Sequence, residues 1–410
     1  MDAQTQWAGM DAKRLDRITD YLNTNYVMPG KITGCQLAIT RHGKPAYLKS
    51  FGQMDRERGE PTREDTIYRI YSMTKPVTAV ALMTLYEKSL FQLDEPVQRF
   101  LPGWRGGHRV WVSGEGANMV TEPARRPISF RDILSHMAGF TYGASVPGSP
   151  SRHCIDTAYR DLGIRWVDSQ DSMEAFLERM SKAPLRHHPG EGWNYSLASD
   201  VAGALVERIS GKRFGDYLKE TIFDPLGMND TSFVIDEHKK NRFAANYKID
   251  ANGALYLYDD PATSTYAQTY RFQSGGGGLL GTMPDYMRFC EMLRRGGELD
   301  GARILGPRTL DLMRRNHLGQ GRSLKDMVYD PRPDRSFKGL GFGLGFALTL
   351  DEVEAGVFGA TDYYWAGVAS TLFWIDQREQ MSVVFMTQLM NGPYDFRSEL
   401  KNLIYAAIVD

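Results

Sequence analysis

Residues 71–87 read YSMTKPVTAVALMTLYE and join a hydroxyl and an amine, Ser72 and Lys75, to an apolar helical stretch. From Pro76 to Leu90 the spacing of Val77, Val80, Leu82 and Leu85 predicts a helix that starts at or just before Ser72. Positions i and i+3 of a helix share a face, so the two polar side chains project together. A serine hydroxyl is nearly inert at neutral pH until a neighbouring base takes its proton, and a lysine relieved of its charge by burial can be that base. The start of a helix also directs unpaired N–H groups and a positive dipole end at the serine, where the oxyanion of a tetrahedral intermediate would form. Pro76 is compatible with this, because first-turn amides have no intrahelical acceptor to lose.

Spacing alone does not make a nucleophile. Ser398-Glu399-Leu400-Lys401 repeats it inside a charged C-terminal helix, where a solvated face is the expected reading. Ser72 differs in context: a strand-and-loop segment, Ile67 to Tyr71, feeds into it and an apolar helix follows.

Outward from this segment, Asp11 caps a predicted helix carrying Leu15, Ile18 and Leu22, stopped by Pro29 and Gly30. Cys35–Thr40 and Pro45–Leu48 form a predicted hairpin. Between 91 and 270 strand signals are sparse, and helices are expected at 172–181 and 197–210. Residues 341–350, 368–375 and 381–387 read as strands, and 395–408 as a final helix. The predicted class is therefore α+β: an antiparallel sheet flanked by helices, built discontinuously from 1–90 and 271–410, with a mainly helical lobe at 91–270.

Composition narrows the function classes. The 49 basic and 50 acidic side chains leave a net charge of −1, so no field attracts nucleic acid or an anionic membrane. No apolar run spans a bilayer, and the mean hydropathy of −0.40 agrees. The start of the chain lacks an apolar leader, so a cytoplasmic location is expected, a trimmed leader being the periplasmic alternative. Cys35, Cys154 and Cys290 lack zinc spacing and read as free, mostly buried thiols. Neither HExxH nor GxSxG occurs, and His187 and His188, being adjacent, do not converge on one metal. Gly276, Gly278 and Gly281 fit GxGxxG without the βαβ setting of a dinucleotide site; a close backbone approach near the cleft, together with Ser274, is the simpler reading. Neither a metal nor a cofactor is expected.

YSMTKPVTAVALMTLYE with Leu93-Asp94-Glu95-Pro96-Val97 resembles the SxxK segment of class C β-lactamases, penicillin-binding proteins and family VIII carboxylesterases. ISFRDILSHMAG (128–139), PGEGWNYS (189–196) and Trp365-Ala366-Gly367 follow in the same order, so the resemblance spans nearly the whole chain. It implies a β-lactamase/penicillin-binding-protein-like sandwich with a helical lobe and the active site between them. It also implies Ser72 as nucleophile, with Lys75 and Tyr195 as general base and acid. The backbone N–H groups of Ser72 and Val368 fall at the oxyanion-hole positions, and Trp365, Ala366 and Gly367 at a substrate-binding strand. His136 matches a family histidine for which a structural hydrogen bond is expected. A phenol beside an ammonium can pass the serine proton to the leaving group, the pair titrating as one unit.

The departures point to substrate. Lactamases carry Tyr-X-Asn and Lys-Thr-Gly or Lys-Ser-Gly, whereas this chain has Tyr195-Ser196-Leu197 and Trp365-Ala366-Gly367. The missing lysine would pair with the carboxylate of a β-lactam or peptide C-terminus, so small uncharged esters fit better. The leading expectation is a carboxylesterase with weak β-lactam turnover as a side activity. An acyltransferase using the same acyl-enzyme, a β-lactamase or D-Ala-D-Ala peptidase, and a non-catalytic relative are the alternatives. Trp111, Trp193 and Tyr364 are candidate cleft walls.

Overall fold

The computed structural model describes residues 6–143, 153–165, 171–268, 272–328 and 337–410. The expected division at 270/271 falls outside them. The first expected helix forms as α1 (Ala12–Leu22), its N-terminal amide at Arg14 capped by Asp11 and its apolar side chains Leu15, Ile18 and Leu22 buried.

The predicted hairpin is longer than its apolar runs suggested. Strand β1 (Gly34–Arg41) and β2 (Lys44–Asp55) are joined by His42 and Gly43, both at positive φ, the backbone that a tight two-residue hairpin turn requires. A short β3 (Glu60–Pro61) pairs beyond them. From the other end of the chain come β6 (Leu340–Phe342), β7 (Ala347–Thr349), β8 (Asp362–Ala366), β9 (Leu372–Asp376) and β10 (Met381–Thr387). Together they make one eight-stranded sheet in the order β6-β7-β8-β9-β10-β1-β2-β3, with neighbours antiparallel. Its centre joins the two chain ends: Met381 faces Arg41 and Thr387 faces Cys35. The α+β class expected from sequence is the class observed.

Alternation along the central strands shows why these runs are apolar throughout. Met381, Val383 and Phe385 face one way, with Cys35, Leu37 and Ile39, onto α1 and the C-terminal helix α7 (Phe396–Tyr405). Val384, Met386, Phe373 and Ile375 face the other way, into the larger core with α2 (Thr74–Glu87) and α6 (Met283–Arg294). A sheet covered on both faces has no solvent side on which to place polar residues. Helix α2 is the centre of that core: every residue from Thr74 to Leu85 is buried. Burying a side chain the size of Val80 or Leu82 stabilises the fold by about 1.5–3 kcal/mol.

Four expectations need correction. The run at 341–350 is two strands, because the chain folds back at Gly345, whose φ of 90° only glycine adopts readily. The run at 368–375 is a turn followed by a strand from Leu372, and Asp362–Ala366 is a strand in its own right. Residues 91–270 hold two hairpins, Arg109–Ser113 with Val120–Pro123 and Asn246–Ile249 with Leu255–Asp259, alongside helices α3 (Phe130–Leu134), α4 (Met173–Lys182) and α5 (Ala198–Ser210). Cys35 and Cys290 are buried free thiols as expected, but Cys154 is only partly covered.

Candidate active site

The chain enters the site through a strained turn. A short strand, β4 (Ile67–Arg69), pairs with β5 (Leu280–Thr282), so the loop before β5 runs beside residues 70–75. Ile70 N–H bonds Leu279 C=O at 3.1 Å, and Leu279 N–H bonds Thr74 Oγ1 at 3.1 Å. Between these clamps Tyr71 takes φ 41°, a left-handed backbone that costs a non-glycine residue stability. Its buried ring is held by Asn246, whose amide donates to the phenol at 3.0 Å. The helix does not start at Ser72: residues Tyr71–Met73 form one tighter 3-10 turn, and the α-helical bonding begins at Thr74. Ser72 therefore sits at an elbow, 7% exposed.

Three of the expected site residues come together here. Lys75 Nζ lies 3.0 Å from Ser72 Oγ and donates as well to the carbonyl of Gly276. Tyr195 Oη donates to the same Ser72 Oγ at 2.8 Å, across 123 residues of chain. Lys75 Nζ stands 4.7 Å from the centre of the Tyr195 ring and 5.5 Å from that of Tyr142. With Lys75 only 3% exposed, water does not screen these contacts.

Tyr195 is fixed by its neighbours in sequence. Trp193 N–H bonds Met327 C=O at 2.8 Å, Asn194 N–H bonds His136 C=O at 3.0 Å, and the Asn194 side chain donates to Phe140 C=O at 2.7 Å. His136, at φ 58°, shares a hydrogen bond with Ser196 Oγ and presses its ring 5.0 Å from that of Tyr195. Burial, and the charge of Lys75 behind it, push the His136 imidazole well below its ordinary range, so it packs as a neutral ring. The expected structural role for His136 is what its contacts describe.

The Trp365-Ala366-Gly367 strand end closes the opposite wall. Gly367 packs so near the turn that a Cβ there would come within 2.7 Å of the Ile70 carbonyl oxygen. Gly367 N–H bonds Thr371 C=O at 2.7 Å and Ser370 N–H bonds Gly367 C=O at 3.0 Å, so the strand end passes into a tight turn that contains Val368. The Trp365 and Tyr142 rings each lie 5.2 Å from that of Tyr195, and Trp193 is stacked at 6.3 Å. Burial and the neighbouring Tyr195 and Asp200 raise the Tyr142 phenol well above its usual range. Of the candidate walls, Trp193 is present. Trp111 belongs to an outlying hairpin, 4.5 Å from His153, and Tyr364 stacks under Arg397 at 3.5 Å.

The glycine-rich stretch approaches the lysine as a bare backbone. A Cβ on Gly275 would lie 2.5 Å from Ser199 C=O, and one on Gly276 2.5 Å from Asp200 Oδ2. Asp200 was not anticipated. Its position early in a helix is an ordinary place for an acid, and only its apolar surroundings, Val201, Ala204 and Leu205, hint at burial. Among the described residues no cluster of metal-ligating side chains occurs, and no helix is long and apolar enough to cross a membrane.

Comparison with known proteins places the chain among relatives of the same fold. The Beta-lactamase family matches over residues 16–407. Esterase EstB of Burkholderia gladioli is 30% identical over 418 residues, covering 96% of this chain and 95% of the relative. The lovastatin esterase of Penicillium rubens is 27% identical, covering 86% and 88% respectively. Among solved structures, EstCE1, described as a hydrolase with promiscuous acyltransferase activity, superimposes with a TM-score of 0.77 at 28% identity, covering 97% of this chain and 98% of that one.

Proposed function

The chain belongs to the beta-lactamase family, and from the site that its fold assembles we propose that it is a serine carboxylesterase acting on small uncharged esters. The observation that carries this reading is the single hydroxyl, Ser72 Oγ, held at hydrogen-bond distance from both an amine and a phenol. Ser72 Oγ attacks the ester carbonyl carbon while its proton passes to the Lys75 and Tyr195 pair. The negative charge on the former carbonyl oxygen is received by the peptide N–H groups of Ser72 and Val368. Collapse expels the alcohol, which takes the proton back from the pair, and leaves an acyl ester on Ser72. Water, deprotonated by the same pair, then releases the acid and restores the hydroxyl.

The cleft in this reading lies between the sheet-bearing part, residues 1–90 and 271–410, and the middle part, 91–270. Ser72, Lys75 and Gly367 come from the first, Tyr195 and Asp200 from the second. The relatives EstB and lovastatin esterase support ester substrates by name. Trp365, standing where a lactamase has its lysine, supports an uncharged one. Acyl transfer is the second reading, favoured by the promiscuous acyltransferase activity of EstCE1; it differs only in an alcohol replacing water as acceptor.

The test is hydrolysis of p-nitrophenyl esters of graded acyl length beside a cephalosporin, with a phosphonate probe for the nucleophile. The native chain turns over the esters far better than the lactam and is labelled on Ser72. Ser72→Ala loses both turnover and label, and Tyr195→Phe lowers kcat by about 10²- to 10⁴-fold while remaining folded. Ester turnover that survives Ser72→Ala overturns the reading; faster acyl transfer than hydrolysis with an added alcohol favours the second.

A further inference from the structure

Asp200 is a carboxylate with almost no access to water, 1% exposed, five residues beyond Tyr195 at the start of α5. Its Oδ1 accepts from Ser274 Oγ at 2.5 Å and from Gly276 N–H at 3.1 Å. Its Oδ2 has no hydrogen-bond partner among the described residues. The carbonyl of that same Gly276 accepts from Lys75 Nζ. Thr78, one turn after Lys75, donates to Gly275 C=O at 2.7 Å. Residues 274–276 are thus wedged between α2 and α5, tied to Lys75 on one side and to Asp200 on the other, with no room for a side chain at Gly275 or Gly276. The titratable groups in electrostatic contact with Asp200 are Lys75 on α2 and Tyr142, which in turn faces Tyr195. Burying a carboxylate that could be replaced by an apolar side chain costs stability unless something compensates it. Burial pushes the Asp200 carboxyl above its ordinary range; Ser274 and the Gly276 amide oppose that through one oxygen only, and positive charge at Lys75 opposes it further.

We propose that Asp200 is a positioning residue that, through the 274–276 backbone, holds Lys75 in line with Ser72 and supplies the buried anion against which Lys75 becomes an ammonium when it takes the serine proton. This rests on the esterase reading above. Asp200 touches neither substrate nor reacting atoms; it acts through the loop and through its field.

Three variants test it, each normalised to the folded, phosphonate-titratable fraction: Asp200→Asn, which keeps an acceptor oxygen and the volume but removes the charge, Asp200→Ala, and Ser274→Ala. Asp200→Asn lowers kcat by about 100-fold with KM within about threefold, and moves the acid limb of its pH profile to lower pH, because a cation at Lys75 has lost its anionic neighbour. Ser274→Ala, which loosens the loop and leaves the charge, lowers kcat by about fivefold without moving that limb. Asp200→Ala shows both effects; should it not fold, the other two variants carry the test. A labelled native enzyme together with an Asp200→Asn of unchanged kcat and unchanged pH profile overturns the inference alone, even where the variant melts earlier. A native chain that is neither labelled on Ser72 nor active on esters overturns the esterase reading and this inference with it.

Discussion

Ser72 with Lys75 and Ser398 with Lys401 share one spacing, and the fold buries both lysines, 3% and 0% exposed. The expectation that the second pair forms a solvated face is therefore wrong, and burial is not what separates the two. Their partners are. Lys401 closes on the Asp362 carboxylate at 2.5 Å and the Phe358 carbonyl at 2.6 Å, with Arg397 on the same carboxylate at 3.4 Å. Lys75 makes no ion pair among the described residues; it meets a hydroxyl and a carbonyl, and its nearest anion acts from behind a loop. Lys401 is anchored on a carboxylate, whereas Lys75 meets a hydroxyl with which an amine can exchange a proton. The same four-residue pattern thus sets an amine against a hydroxyl in one helix, the arrangement the proposed chemistry uses, and ties sheet to helix in the other.

The contrast can be broken most sharply at Lys75. Lys75→Met lowers ester turnover by about 10³-fold while circular dichroism still reports a folded chain; if turnover survives, the two lysines are not different in kind. Next in size, Lys401→Met leaves the Asp362 carboxylate buried without its closest cation and lowers the unfolding free energy by about 3 kcal/mol, measured by urea denaturation. Its kcat/KM per folded molecule stays at the native level, and a drop there would merge the two sites. The smallest effect is a pH dependence. Burial outweighs Asp362 and holds the Lys401 amine down at about 8, against its usual 10.5. Between those values the unfolded chain carries one proton that the folded chain has released, so native stability rises with pH relative to Lys401→Met. Below about 8 both states are protonated and the difference is flat. Denaturation series at pH 7, 8, 9 and 10 check this, and a difference that narrows across that range contradicts it.

How much of this was legible in the sequence follows the physics of each element. The strands at 35–40 and 381–387 could be read because a sheet covered on both faces demands unbroken apolar runs. The hairpin at 109–123 could not, because Val112, Ser113 and Val120 lie exposed and Val110 alone of its strand residues is buried, which gives the stretch no period. The fold-back at Gly345 was hidden because a glycine in a strand and a glycine in a turn look alike until φ is known. In the site, Ser72 and Lys75 are local and announce themselves, whereas Tyr195 is one of 21 tyrosines and was found only through its resemblance to a family motif. Asp200 went unremarked and Lys401 was misjudged for a common reason. A charged side chain is read as solvated unless its partner is known, and those partners lie 74 and 39 residues away along the chain.

The pairing of β1 with β10 has a consequence for how the protein is made. A ribosome delivers Gly34–Arg41 long before Met381–Thr387, so until the later strand emerges β1 presents an open row of backbone donors and acceptors along one edge. A stop codon between 76 and 380 therefore releases a polypeptide that carries Ser72 and Lys75 but lacks the strand on which β1 closes the middle of the sheet.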